Sequence, residues 1–116
     1  MVLFDKMKAA AKNADSKAGE EIDKSKVKSK ISDEKKAIEE IYKKIGVAYY
    51  EARKADEDVP EEVDAMCKEI NEHLANIDNY EIEIKRIEEM GKMEREQNNA
   101  DAEAAARARE EAKEKD

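Results

Sequence analysis

The sequence has no tryptophan, one cysteine (Cys67), one proline (Pro60), three glycines, one phenylalanine and four tyrosines. Each scarcity excludes something. A single cysteine rules out an intrachain disulfide and any multi-cysteine zinc site. One proline and three glycines are too few to punctuate the many short strands of a sandwich or barrel. No apolar run approaches the roughly 18 residues that a membrane span requires. The opening MVLFDKMKAAAK lacks the continuous apolar stretch of a secretory leader, so a cytoplasmic protein is expected. Large aliphatics are scarce as well: two Leu, ten Ile, five Val and one Phe among 116 residues. That is below the roughly 20% at which disorder becomes a serious prior.

What is present is charge. Asp, Glu, Lys and Arg make up 47% of the chain, and the mean hydropathy is −1.03. A thick core is out of reach, so order must come from a narrow, well-placed apolar seam. Elongated helices meet that requirement, and Ala, Glu and Lys, which dominate the chain, are good helix formers. The expectation is a single, nearly all-α domain. The net charge of −8 is unevenly spread. Residues 1–55 carry 14 basic and 10 acidic side chains, whereas residues 56–116 carry 9 basic and 21 acidic ones. Two halves folded back on each other would bring opposite charges together. The acidic total makes nucleic acid an unfavourable partner, because phosphate contacts dominate that affinity.

Read along the chain, residues 1–24 form an amphipathic helix with Leu3, Met7, Ala10, Ala14, Ala18 and Ile22 near helical spacing. Asp15, Ser16 and Gly19 could interrupt it, and a second helix is expected to begin near Asp23 to Lys26. From there the pattern is a clear heptad. Val27, Ile31, Glu34, Ile38, Ile41, Ile45, Ala48 and Ala52 alternate by three and four, the seam of a coiled coil, with Glu34 its only interior break. A turn is expected at about 54–60, with Asp58 as N-cap and Pro60 in the first turn of the return helix. A second seam follows: Val63, Met66, Ile70, His73, Ile77, Tyr80, Ile84 and Ile87. It ends at Gly91, and a continued heptad places Glu94 and Asn98 on it. Residues 92–116 form a charged, Ala-rich tail, helical or disordered.

The predicted architecture is therefore an antiparallel coiled-coil hairpin over 25–91. If the chain reverses between Glu57 and Asp58, Ile38 meets Ile77, Ile45 meets Ile70, Glu34 faces Tyr80 and Ile41 faces His73. Lys30 then approaches Glu83, and Lys44 approaches Glu69. Tyr42 and Tyr49 face Leu74 and Cys67 on the other flank, which is apolar and which two helices cannot cover. A second copy docked there would give a dimeric four-helix bundle. The N-terminal helix folding back would give three helices instead.

Groups that could carry chemistry are few. Cys67 is a candidate nucleophile and His73 a candidate base, but six residues on one helix place them about 120° apart around its axis. A small buried thiol near Tyr49 is the preferred reading of Cys67. Glu69 and His73 are four apart, yet in so acidic a chain that spacing arises by chance, and the Glu-x-x-His pairs of carboxylate-bridged bundles are missing. No calcium loop is present. No catalytic residue, metal or cofactor is expected. The first thirty residues carry eight lysines against five acids. Leu3, Phe4 and Met7 at the tip, with Lys6, Lys8 and Lys12, form a candidate contact for an anionic membrane surface or a protein partner. Gly46, mid-helix, is read as a point of close helix approach.

The motif Ile41-Tyr42-Lys-Lys-Ile45-Gly46-x-x-Tyr49-Tyr50, followed by Pro60-Glu61-Glu62-Val63 and Cys67-x-x-Ile70, together with Phe4-Asp5-Lys6-Met7-Lys8-Ala9-Ala10-Ala11-Lys12, resembles a group of small bacterial coiled-coil proteins. In that group the helical segment is often followed by a C-terminal zinc ribbon. The resemblance covers residues 1–88 and implies the helical fold. No Cys-x-x-Cys pair follows Gly91, so the zinc role is not carried over, and the resemblance implies no activity. The function expected is that of a non-enzymatic scaffold or adaptor that self-associates through Tyr42, Tyr49, Cys67 and Leu74. The alternatives are an acidic inhibitor of a basic or nucleic-acid-binding partner, and a peripheral membrane-surface protein using its N-terminal helix.

Overall fold

The computed structural model describes residues 2–114. It contains two α-helices, α1 (Val2–Lys54) and α2 (Glu62–Glu114), and no strand among the described residues. The helices pack against each other as a hairpin. Both are 53 residues long. Neither would hold in water on propensity alone, because most helix stability in proteins comes from packing one face against a partner. No break separates the segments expected at 1–24 and 25–54. Asp15, Ser16 and Gly19 lie within continuous helix, and so does residue 92 onward as far as Glu114. Mid-helix Gly and Ser cost only fractions of a kcal/mol up to about 1, too little to end a helix paired along its length.

The reversal is built from a specific helix stop. Glu57 N–H donates to the Ala52 carbonyl at 2.8 Å, and Asp56 N–H donates to Arg53 at 3.2 Å. These are the two bonds of a Schellman motif, with Asp56 at the left-handed position, φ 55°. The chain then crosses to Pro60 and Glu61. Their carbonyls accept from Val63 at 3.0 Å and from Asp64 at 3.0 Å, a tight first turn that opens α2. Asp58, expected as the N-cap, lies before this turn.

Contacts divide into two compact units. Unit 1 comprises Met1–Ser25 with Ile84–Asp116, and unit 2 is Lys26–Glu83. Unit 2 follows the heptad. Val27, Ile31, Ile38, Ile41, Ala52, Ile70 and Ile77 are buried, and Ile45, Ala48, Val63 and Met66 are half-buried. Its register differs from the one expected. Glu34 meets His73 and Asn76, not Tyr80. The ring of Tyr80 lies instead under the Lys30 ammonium, 5.9 Å from its centroid. Glu34 thus meets a residue seven positions nearer the start of α2 than expected. The pairs Lys30–Glu83 and Lys44–Glu69 are likewise not among the ion pairs of the described residues.

Unit 1 departs further from expectation. Leu3, Met7, Ala10, Ala14, Ala18 and Ile22, the apolar stripe of residues 1–24, are all exposed. The line turned toward α2 is Asp5, Ala9, Asn13, Ser16 and Glu20. On α2 the covered line runs Ile84, Ile87, Gly91, Arg95, Asn98, Ala102 and Ala106, so Arg95 takes the place expected for Glu94. The covered line follows a longer spacing than the heptad. Asp5, Ser16 and Val27 are eleven apart, as are Ala9, Glu20 and Ile31, and on α2 Ile84, Arg95 and Ala106. An eleven-residue repeat gives 3.67 residues per turn, against 3.5 for a heptad. Continuing the heptad keeps Asn13 and Glu20 on α1 and Gly91 and Asn98 on α2, but it slips by one residue at Ala9, Ser16, Arg95 and Ala102.

Candidate interaction surfaces

In unit 2 the seam is thin. Even Val27, its best covered member, keeps 4% of its surface exposed. Tyr42 and Tyr49 follow the seam residues Ile41 and Ala48 by one position, and Cys67 and Leu74 follow Met66 and His73 by one. In an antiparallel pair these positions share one flank. All four are exposed, Tyr42 by 57%. Cys67 is thus not the buried thiol expected. Gly46 lies between the two tyrosines, four residues after the first and three before the second. A Cβ added there would meet nothing within 4 Å, so no close approach within the chain accounts for this glycine. Tyr50 is exposed too, as its place one step further round the helix predicts.

Charge divides between the two helices of this unit. Residues 26–54 hold nine basic and five acidic side chains, while residues 62–83 hold one basic and seven acidic. One polar cluster interrupts the aliphatic seam. The His73 Nδ1–H donates to Glu34 Oε2, and Asn76 Nδ2 donates to Glu34 Oε1 at 3.4 Å. On the other side of the ring, Nε2 lies 3.9 Å from Glu69 Oε1. The ring lies between the carboxylates of Glu34 and Glu69, and its hydrogen bond goes to Glu34. Among the described residues no three His, Cys, Asp or Glu side chains converge to hold a metal ion. Two donors, His73 and Asn76, satisfy the Glu34 carboxylate within an aliphatic seam, the kind of contact that can specify pairing in a coiled coil.

Unit 1 is held by polar groups. The Glu20 side chain, only 3% exposed, accepts from Lys17 Nζ at 2.8 Å and from Arg95 Nη2 at 3.1 Å. These donors, Lys17 first, hold its carboxyl down at about 2 despite the opposing effect of burial. Lys24 extends the network to Glu21 at 3.2 Å and to Glu88 at 3.8 Å. A Cβ on Gly91 would collide with Glu20 Oε1, so glycine makes room for the carboxylate. Nearer the helix ends, Asn13 donates to Asn99 at 2.9 Å and accepts from Asn98 at 3.1 Å. Asp5 pairs with Arg109 at 3.3 Å, and the same guanidinium lies 5.2 Å over the Phe4 ring. Reading the sequence missed Asp5, Glu20, Gly91, Arg95 and Arg109. The eleven-residue spacing from Asp5 and Ala9 into the isoleucine seam is the signal that finds the first two.

Among the described residues no helix is long and apolar enough to cross a membrane. No family model matches the chain, and neither a curated protein nor a solved structure matches it. The functional reading therefore rests on these surfaces alone.

Proposed function

We propose that this chain is a non-enzymatic coiled-coil scaffold that self-associates through the flank bearing Tyr42, Tyr49, Cys67 and Leu74. The observation that carries the reading is that flank: apolar, exposed along two helical turns, and centred on a glycine that nothing within the chain requires. An exposed mid-helix glycine costs about 1 kcal/mol against alanine, which close approach of a neighbouring helix would offset. The partner best suited is a second copy. Related by a two-fold axis, α1 of each hairpin would lie on α2 of the other and bring the lysine-rich helix against the acidic one. Tyrosines dominate many interfaces because their rings bury large area at low entropic cost.

Tyr42→Glu combined with Tyr49→Glu places two carboxylates in this contact and should reduce the assembly to monomer in sedimentation velocity. Circular dichroism should stay unchanged, because both residues lie outside the seam. A parent-sized particle from the double variant, or a monomeric parent at tens of micromolar, would reject the assignment.

A further inference from the structure

The outer face of α1 in unit 1 is a second unpartnered surface, and its chemistry differs from the tyrosine flank. Leu3, Met7, Ala10, Ala14, Ala18 and Ile22 fall within an arc of roughly 120° at about 100° per residue. That arc lies opposite the line Asp5, Ala9, Asn13, Ser16 and Glu20. Leu3 keeps 70% and Met7 64% of their surface exposed. Lys6 borders the arc on one side and Lys8 on the other, with Lys12 further round toward the buried line; Lys17, beside Lys6, is paired with Glu20 and Glu21.

The fold also sorts the acids. Asp5 and Glu20 are buried against Arg109 and Arg95 of α2. Glu21 is neutralised by Lys17 at 3.3 Å and Lys24 at 3.2 Å. Between residues 3 and 18 that leaves Asp15 as the sole acid on the exposed side of the helix. What the sequence presents as a mixed segment is, once folded, an apolar arc flanked by Lys6 and Lys8, with the paired Glu21 within it and Asp15 at one edge.

We infer that this face binds an anionic lipid surface, lying in the interface with the arc turned toward the acyl chains and the lysines among the headgroups. Charge complementarity selects the occupant. Symmetric contact between two such faces would set the flanking lysines against each other, whereas an anionic bilayer supplies apolar depth and negative charge together. Lysine stems can lie along the apolar surface while their ammonium groups reach the headgroups. The small alanines limit the depth of insertion, so binding should be reversible and sensitive to salt.

The test uses the full chain and 100-nm vesicles of phosphatidylcholine, with and without 30% phosphatidylserine, in co-sedimentation. Partitioning should be roughly tenfold or more higher on the anionic vesicles, as a few lysines near the surface imply, and should fall in 0.5 M salt. Leu3→Glu with Met7→Glu should abolish it, and Lys8→Glu with Lys12→Glu should weaken it. Both pairs are exposed, so helix content should not change. Tyr42→Glu with Tyr49→Glu should bind vesicles through each monomer's own face, which separates this inference from the proposed self-association. Equal partitioning on both vesicle types, no partitioning, or parent-like binding by the Leu3/Met7 variant would overturn it. So would a change in particle size of that variant without vesicles, which would mark the face as a contact between copies.

Discussion

Gly19 and Gly91 belong to the same unit and meet opposite constraints. A Cβ on Gly19 faces open space, and its φ is not positive, so helix propensity alone decides the outcome there. Gly19→Ala should raise stability by about 0.5–1 kcal/mol. Gly91→Ala gains the same propensity but must displace the Glu20 carboxylate, which Lys17 and Arg95 hold. It should show no gain, or a net loss, in urea unfolding. Equal responses from the two glycines would mean that Glu20 is not held against Gly91. Asp56 is a third backbone position with a readable cost. An L-residue in the left-handed region pays roughly 1 kcal/mol or more, less for Asp than for most. Asp56→Gly should stabilise the hairpin by about 0.5–1 kcal/mol in the same assay, and no shift in the urea midpoint would count against the Schellman turn.

The helices carry two different periodicities. Between Val27 and Ala52, and from Val63 to Ile87, isoleucines at seven-residue spacing make the seam plain from the sequence. Toward the N-terminus of α1 and the C-terminus of α2 the spacing lengthens to eleven, and the seam is filled by Asp, Asn, Ser, Glu, Gly, Arg and Ala. Apolar periodicity identifies a buried face only where burial is what stabilises it. Here ion pairs and paired amides stabilise the contact, while the apolar residues of the same segment face outward. Leu3, Met7 and Ile22 therefore marked the wrong face. The register of unit 2 was misjudged for a related reason. The pattern identifies which side of each helix is inside, but the partners of Glu34 are the polar groups that can reach it, His73 and Asn76, and apolar spacing does not single these out.

Across the whole molecule the two units should respond differently to acid. The Glu20 carboxyl has its ordinary value near 4.5 when the chain is unfolded and is held at about 2 when folded. Its contribution to stability is therefore complete above pH 4.5 and is lost as the pH falls through about 2. Unit 1 depends on that carboxylate, whereas the seam of unit 2 is mainly aliphatic. Between pH 4.5 and 2, amide protection around Gly91–Arg95 should fall before protection around Ile38–Ile41. Glu20→Gln should flatten the pH dependence of the first segment. Uniform loss of protection in both segments would contradict this division.

The sequence by itself determined that the chain is helical, where it reverses and which residues line the heptad seam. Those features follow from composition, from one proline and from repeated isoleucine, each acting locally or at fixed period. The tertiary structure alone decided that residues 2–25 pair with residues 84–114 through buried charge, and that their apolar stripe is left outside. A carboxylate such as Glu20 can be buried only when Lys17, Lys24, Arg95 and the space left by Gly91 converge on it. Lys17 and Lys24 flank Glu20 locally, but Arg95 lies 75 residues away, and no local pattern pairs it with that carboxylate. The same convergence turns the acids inward and leaves lysines bordering an open apolar face, the basis for expecting a lipid surface there.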